Sequence, residues 1–179
     1  IFIHQLSWIQ ITIFGHLVSH KNKGKTMSIN CIRTLIEDAN ISNPQKLALV
    51  FGNEKLTYNE LFTKVNQIAY YLSELDLPKG SRIGVYSNKG IDQVVAILAI
   101  LSTQYVLVPL TKLLKPEQVE YIISDCDIKC IITDKIKLES IEEIKFNGHI
   151  ISYETSHKDL PSFEEIYKYY NKPYFCDVN

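Results

Sequence analysis

Apolar and polar positions along the chain follow two periods, that of a helix and that of a strand. The clearest helical pattern has apolar residues at steps of four, three, four and three, which places them on one buried stripe: Leu61, Val65, Ile68, Leu72 and Leu75. Thr57 and Glu60 precede this stripe with the spacing of a capping box, so the helix is predicted to begin there. Another helical pattern, over residues 28–40, is predicted to open the domain.

Short apolar runs bounded by turn residues alternate with the helical patterns. Residues 47–51 and the turn Gly52-Asn53 predict a small hairpin. Four further strands are predicted over residues 82–86, 105–110, 128–133 and 150–153. Helices are predicted over residues 92–101, from Pro116, over residues 138–144 and from Ser162, where Glu165 completes a second capping box.

The order of these elements predicts the fold class. Strands and helices alternate, which is typical of an α/β domain with a mostly parallel sheet and helices on both faces. The run 105–110 is continuously apolar, so that strand is expected to be buried on both faces.

Composition and charge exclude several classes of function. The 179 residues are 46% hydrophobic and 22% charged, which is typical of a globular protein with a buried core. Lys plus Arg number 19 and Asp plus Glu number 20, so no excess of positive charge attracts nucleic acid or an anionic membrane. The seven glycines are scattered, and no glycine-rich phosphate loop is formed by their spacing.

Residues 1–26 differ from the rest of the chain. Residues 1–18 are apolar but are interrupted by polar side chains, and they are too short for the roughly 20 apolar residues of a membrane span. Met27 is the only methionine, and we expect it to be the natural start of the protein. Residues 1–26 are therefore predicted to be a leader outside the fold, with a membrane anchor as the alternative, and residues 27–179 to form the domain.

Residues with reactive side chains form no recognisable catalytic set. The four cysteines are too few and too widely spread to form a disulfide framework, which fits free thiols in the cytoplasm: Cys31, Cys126, Cys130 and Cys176. Cys126 and Cys130 are close in sequence, but no His or second Cys pair lies nearby to complete a zinc site. His149 and His157 have no nucleophile in a recognisable motif and are predicted to lie on the surface. Helix ends and turns are the predicted places of Asp125, Asp127 and Asp134.

One loop has the position of a ligand site. Ser87, Asn88, Lys89 and Gly90 follow a predicted strand and precede a helix, where backbone amides can hold an anion. The glycines at positions 80, 84 and 90 do not have dinucleotide-binding spacing and are expected to serve turns and close packing. Tyrosines cluster near the C-terminus and are predicted to pack a core or an interface: Tyr167, Tyr169, Tyr170 and Tyr174. We predict no catalytic, cofactor-binding or metal-binding residue in this chain.

A family resemblance appears when the segments are taken in order. Residues 56–61 (LTYNEL) and 66–72 (NQIAYYL) resemble the first core motif of amino-acid adenylation domains of nonribosomal peptide synthetases, which belong to the AMP-binding, adenylate-forming ligases. Residues 82–85, 95–101 and 108–110 resemble the second core motif and its approach, and residues 116–134 continue the match. The chain departs from the pattern at three positions, where the family usually has Lys, Gly and Asp: Ser102, Gln104 and Thr111.

This resemblance implies an enzyme larger than the chain. The parent is expected to activate a carboxylate, an amino acid in the first instance, with ATP and Mg to an acyl-adenylate and to pass it to the phosphopantetheine thiol of a carrier protein. Coenzyme A is the acceptor if the parent is an acyl-CoA ligase. In the family the phosphate loop would follow Asn179, so the chain is expected to be an inactive N-terminal part whose partner is the C-terminal remainder. The alternative from another class is a noncatalytic α/β binding module.

Overall fold

The computed structural model describes residues 32–144, 146–155 and 160–170. The helices in these ranges are α1 (Ile32–Ser42), α2 (Tyr58–Ser73), α3 (Ile91–Leu101), α4 (Pro116–Asp125), α5 (Lys135–Glu143) and α6 (Phe163–Tyr169). The strands are β1 (Leu47–Phe51), β2 (Glu54–Thr57), β3 (Arg82–Tyr86), β4 (Val106–Leu110), β5 (Ile128–Thr133) and β6 (His149–Ser152). Residues 28–31 of the first predicted helix lie outside the described ranges.

Strands β1 and β2 form the predicted hairpin and lead into α2. Gly52 has a φ of +59° in the connecting turn, a conformation that glycine adopts without strain. Thr57 then caps α2: its Oγ1 accepts from the Glu60 amide at 3.3 Å, and its own amide donates to Glu60 Oε2 at 2.7 Å. The capping box predicted at this position is therefore confirmed.

The other four strands form one parallel sheet in the order β4-β3-β5-β6. Gly84 in β3 is level with Val108 of β4 on one side and Ile131 of β5 on the other. A β-carbon at Gly84 would lie 3.4 Å from the side chains of Ile128 and Leu110, so this glycine serves close packing. The α/β class and the parallel pairing are as predicted.

Helices cover both faces of the sheet, and each face has its own core. The larger core joins α1, α2, α3 and α6 to the hairpin and to one face of the sheet, with Ile68, Val95 and Ile132 fully buried in it. The smaller core lies under α4 and α5, around Tyr86 and Ile131. Two separate apolar layers are what the alternation of strands and helices requires.

The expectation that residues 105–110 form a strand buried on both faces was wrong. β4 lies at the edge of the sheet; Val106 is 49% exposed and Pro109 is also exposed. The Val106 amide donates to the Ser81 carbonyl at 2.9 Å, toward β3, so by alternation the backbone of Leu107 and Pro109 faces away from the sheet. Proline has no amide hydrogen to offer there, which suits an unpaired edge.

Helix α6 and the residue after it pack on α2 through Tyr167 and Tyr170, as predicted for the tyrosine cluster. The prediction was wrong for Tyr169, which is 69% exposed. The Lys64 ammonium lies 3.7 Å from the centre of the Tyr167 ring, and Gln67 Nε2 donates to the Tyr167 carbonyl at 3.1 Å. The centre of the Tyr170 ring lies 5.9 Å from that of Tyr70 and 5.2 Å from that of Tyr71. α6 is therefore part of the core structure, while Tyr174 lies outside the described residues.

Candidate functional site

The carboxyl ends of β3, β5 and β6 lie side by side, because the three strands are parallel neighbours. Ligands of open α/β sheets bind at this edge. The loop from Ser87 to Gly90 leaves β3 here, Asp134 follows β5, and Tyr153 follows β6. This edge is the candidate site, and its chemistry depends on what these side chains contact.

The carboxylate of Asp134 holds the loop after β3. Its Oδ2 accepts from the Asn88 amide at 2.5 Å and from Asn88 Nδ2 at 2.9 Å, while its Oδ1 accepts from the Lys137 amide at 2.8 Å. The carboxylate thus also caps α5, which explains why this helix begins at Lys135, three residues before the predicted start. Asp134 already binds the Asn88 amide, so this amide is not available to a bound anion.

Ser87 contacts a tyrosine that comes 66 residues later. Its Oγ lies 2.9 Å from the Tyr153 hydroxyl, and both side chains are buried. Burial raises the pKa of Tyr153, and the hydrogen bond with Ser87 lowers it by a smaller amount. The hydrogen-bond partner of Ser87 is therefore a neutral phenol, which cannot act as the general base of a serine nucleophile.

An acid and a base flank the start of α3. Burial raises the pKa of Asp92, and the positive charge of Lys64 opposes this effect. Burial lowers the pKa of Lys64, and the carboxylates of Asp92 and Glu60 oppose that effect. In both groups burial shifts the pKa further than the charge of the other group shifts it back. This is expected of opposite charges that attract each other without forming an ion pair.

The other residues singled out in the sequence have structural places. Asp127 has a φ of +49° in a turn, Asp125 ends α4, and His149 is exposed, as predicted. Gly80 has a φ of +79°, a conformation typical of glycine in a turn. Cys130 is fully buried, and burial raises the pKa of its thiol. His157, Cys31 and Cys176 lie outside the described residues.

The two contacts that organise this edge were not predicted. Asn88 and Asp134 are 46 residues apart, and Ser87 and Tyr153 are 66 apart. The one signal available in the sequence was that each of these residues follows a predicted strand, since parallel strands bring their carboxyl ends together. That signal predicts which edge of the sheet the residues share, but it does not predict which side chains contact each other there.

Comparison with known proteins identifies the family. A profile of AMP-binding enzymes matches residues 36–173. The chain belongs to this family. Its members are ATP-dependent adenylate-forming ligases, so the resemblance found in the sequence is confirmed.

Two relatives are peptide synthases. Gramicidin S synthase 1 of Brevibacillus brevis is 33% identical over 123 residues, which are 69% of this chain and 11% of that protein. Tyrocidine synthase 1 of Brevibacillus parabrevis is 32% identical over 120 residues, 67% of this chain and 11% of that protein. The chain thus spans about a ninth of the length of these relatives.

Solved structures share the fold. A benzoate CoA ligase from Burkholderia xenovorans LB400 superposes with a TM-score of 0.74 at 19% identity, over 83% of this chain and 30% of that one. An anthranilate CoA ligase in complex with anthranoyl-AMP superposes with a TM-score of 0.71 at 24% identity, over 77% of this chain and 28% of that one. The four-stranded parallel sheet therefore corresponds to part of the N-terminal domain of adenylate-forming ligases.

We assign none of the described residues to the ATP and magnesium that the family uses. In the ranges given above, no group of three or more His, Cys, Asp or Glu side chains is placed to hold a metal ion. The carboxylate of Asp134 is occupied by amides of its own chain.

None of the helices in the described residues is long and apolar enough to cross a membrane.

Proposed function

We propose that the chain is the first α/β unit of a cytoplasmic enzyme that activates a carboxylate, an amino acid in the first instance, and transfers it to a thiol. The observation that carries this proposal is the family match over residues 36–173, together with the identity to the two peptide synthases. We further propose that residues 1–26 are a leader outside the fold, because polar residues interrupt their apolar stretch.

The proposed reaction has two steps. A carboxylate oxygen attacks the α-phosphorus of Mg-ATP; the bond from this phosphorus to the bridging oxygen breaks, and pyrophosphate leaves. A thiol, as its thiolate, then attacks the acyl carbon, and AMP leaves. The thiol belongs to a phosphopantetheine carrier if the parent resembles the peptide synthases, and to coenzyme A if it is an acyl-CoA ligase.

The unit itself has a structural role in this proposal. Ser87 lacks a base, Asp134 binds amides of its own chain, and the described residues hold no metal cluster. We infer that the chain alone does not turn over ATP, and that the ATP site, the substrate pocket and the phosphate loop belong to the remainder of the parent polypeptide.

Carboxylate-dependent exchange of pyrophosphate into ATP tests this function. The 179-residue chain should show background exchange only. The parent, cloned from the gene extended beyond codon 179, should exchange pyrophosphate with one amino acid well above the others. Transfer of the acyl group to a carrier protein or to coenzyme A then distinguishes the two acceptors.

Two results would contradict the proposal. Exchange by the chain alone would place the ATP site within it. A stop codon directly after codon 179, with a monodisperse product, would favour a noncatalytic binding module.

A further inference from the structure

We draw no further inference here: the strongest candidate, the cluster of Lys64, Asp92 and Tyr167 where α2, α3 and α6 meet, carries no proposal, because it rests only on the lowered pKa of Lys64 and the raised pKa of Asp92.

Discussion

At the scale of single residues, the carboxyl edge of the sheet is organised by polar contacts within the chain. Asp134 connects the loop after β3 to the start of α5 through three hydrogen bonds. Ser87 and Tyr153 pair in the interior. Buried polar groups that satisfy one another stabilise a loop, and the same contacts remove them from the set of groups that can bind a ligand.

We expect Asp134→Asn to destabilise the chain by about 1–3 kcal/mol, because one carboxylate oxygen is replaced by an amide group that cannot accept a hydrogen bond. The Asn88 amide or the Lys137 amide would then lose its acceptor. Urea unfolding measures the loss. Asp127→Asn is the matched control; its exposed ion pair with Lys129 is worth little, so we expect a change below about 1 kcal/mol. Equal effects of the two substitutions would contradict the role of Asp134.

Asp92 predicts a dependence of stability on pH. Burial raises its pKa in the folded state, with Glu54, Glu154 and Glu164 adding to the effect and Lys64 opposing it. An acid with a raised pKa makes the folded state less stable as pH rises through the window between its unfolded and folded values. The charged form of Asp92 therefore destabilises the folded state at neutral pH.

Asp92→Asn should consequently be more stable than the wild type at about pH 7 and lose this advantage at about pH 3, where Asp92 is neutral in both states. Thermal unfolding across this range measures the difference. Glu120→Gln removes an exposed carboxylate and serves as the control. An advantage of Asp92→Asn that stays constant with pH would exclude the burial penalty as its cause.

At the scale of elements, helix starts and strand edges obey local rules. Three helices begin at residues whose side chains accept from the helix amides: Thr57 for α2, Asp134 for α5 and Ser162 for α6. β4 ends the sheet on one side, and its proline faces outward. Each rule can be tested by one substitution.

Thr57→Ala should cost about 1 kcal/mol, because the Glu60 amide loses its acceptor at the start of α2. Chemical denaturation measures the change. Thr63→Ala is a matched control on the same helix, where an exposed hydroxyl donates to the Asn59 carbonyl and alanine is the better helix former. A loss of turnover in the parent enzyme without a loss of stability would show a functional role for Thr57.

Pro109→Val should leave the fold intact and increase self-association. The new amide hydrogen would point away from β3 and offer a donor to the β4 edge of a second molecule. Light scattering over a range of concentrations measures association. The contrasting variant Val108→Pro should instead destabilise the chain, because the Val108 amide faces β3 by the same alternation. If the effects of the two variants were exchanged, our assignment of the outer edge of β4 would be wrong.

At the scale of the whole molecule, two apolar cores on the two faces of one sheet hold the described residues together. The family match over residues 36–173 falls on this body. The full chain of 179 residues has a net charge of -1, which attracts neither cations nor anions over long range.

Removal of residues 1–26 should change the free energy of unfolding by less than about 1 kcal/mol, or about 2–4 °C in Tm for a chain of this size. Polar residues interrupt their apolar stretch, so it offers no continuous apolar face to the core. Calorimetry of the chain that starts at Met27 tests this. A chain that starts at Asn43 also loses α1 and its buried Ile36, and it should be clearly less stable. A similar loss for both truncations would mean that the leader belongs to the fold.

The sequence by itself determined the elements, their order and the family. Helical and strand periods, the two capping boxes and the turn glycines are local signals, because they depend on residues within about one helical turn of each other. The strands over residues 82–86 and 128–133 were predicted to the residue, and the motifs of residues 56–72 identified the family.

Only the tertiary structure decided which strand lies at the edge and which side chains meet. The runs that form β4 and β5 are similarly apolar, yet β5 lies between two strands while β4 has one neighbour. Strand order depends on the packing of whole helices against the sheet, which no local period records. The contact of Asn88 with Asp134 follows from that order, because β3 and β5 must be neighbours before their loops can touch.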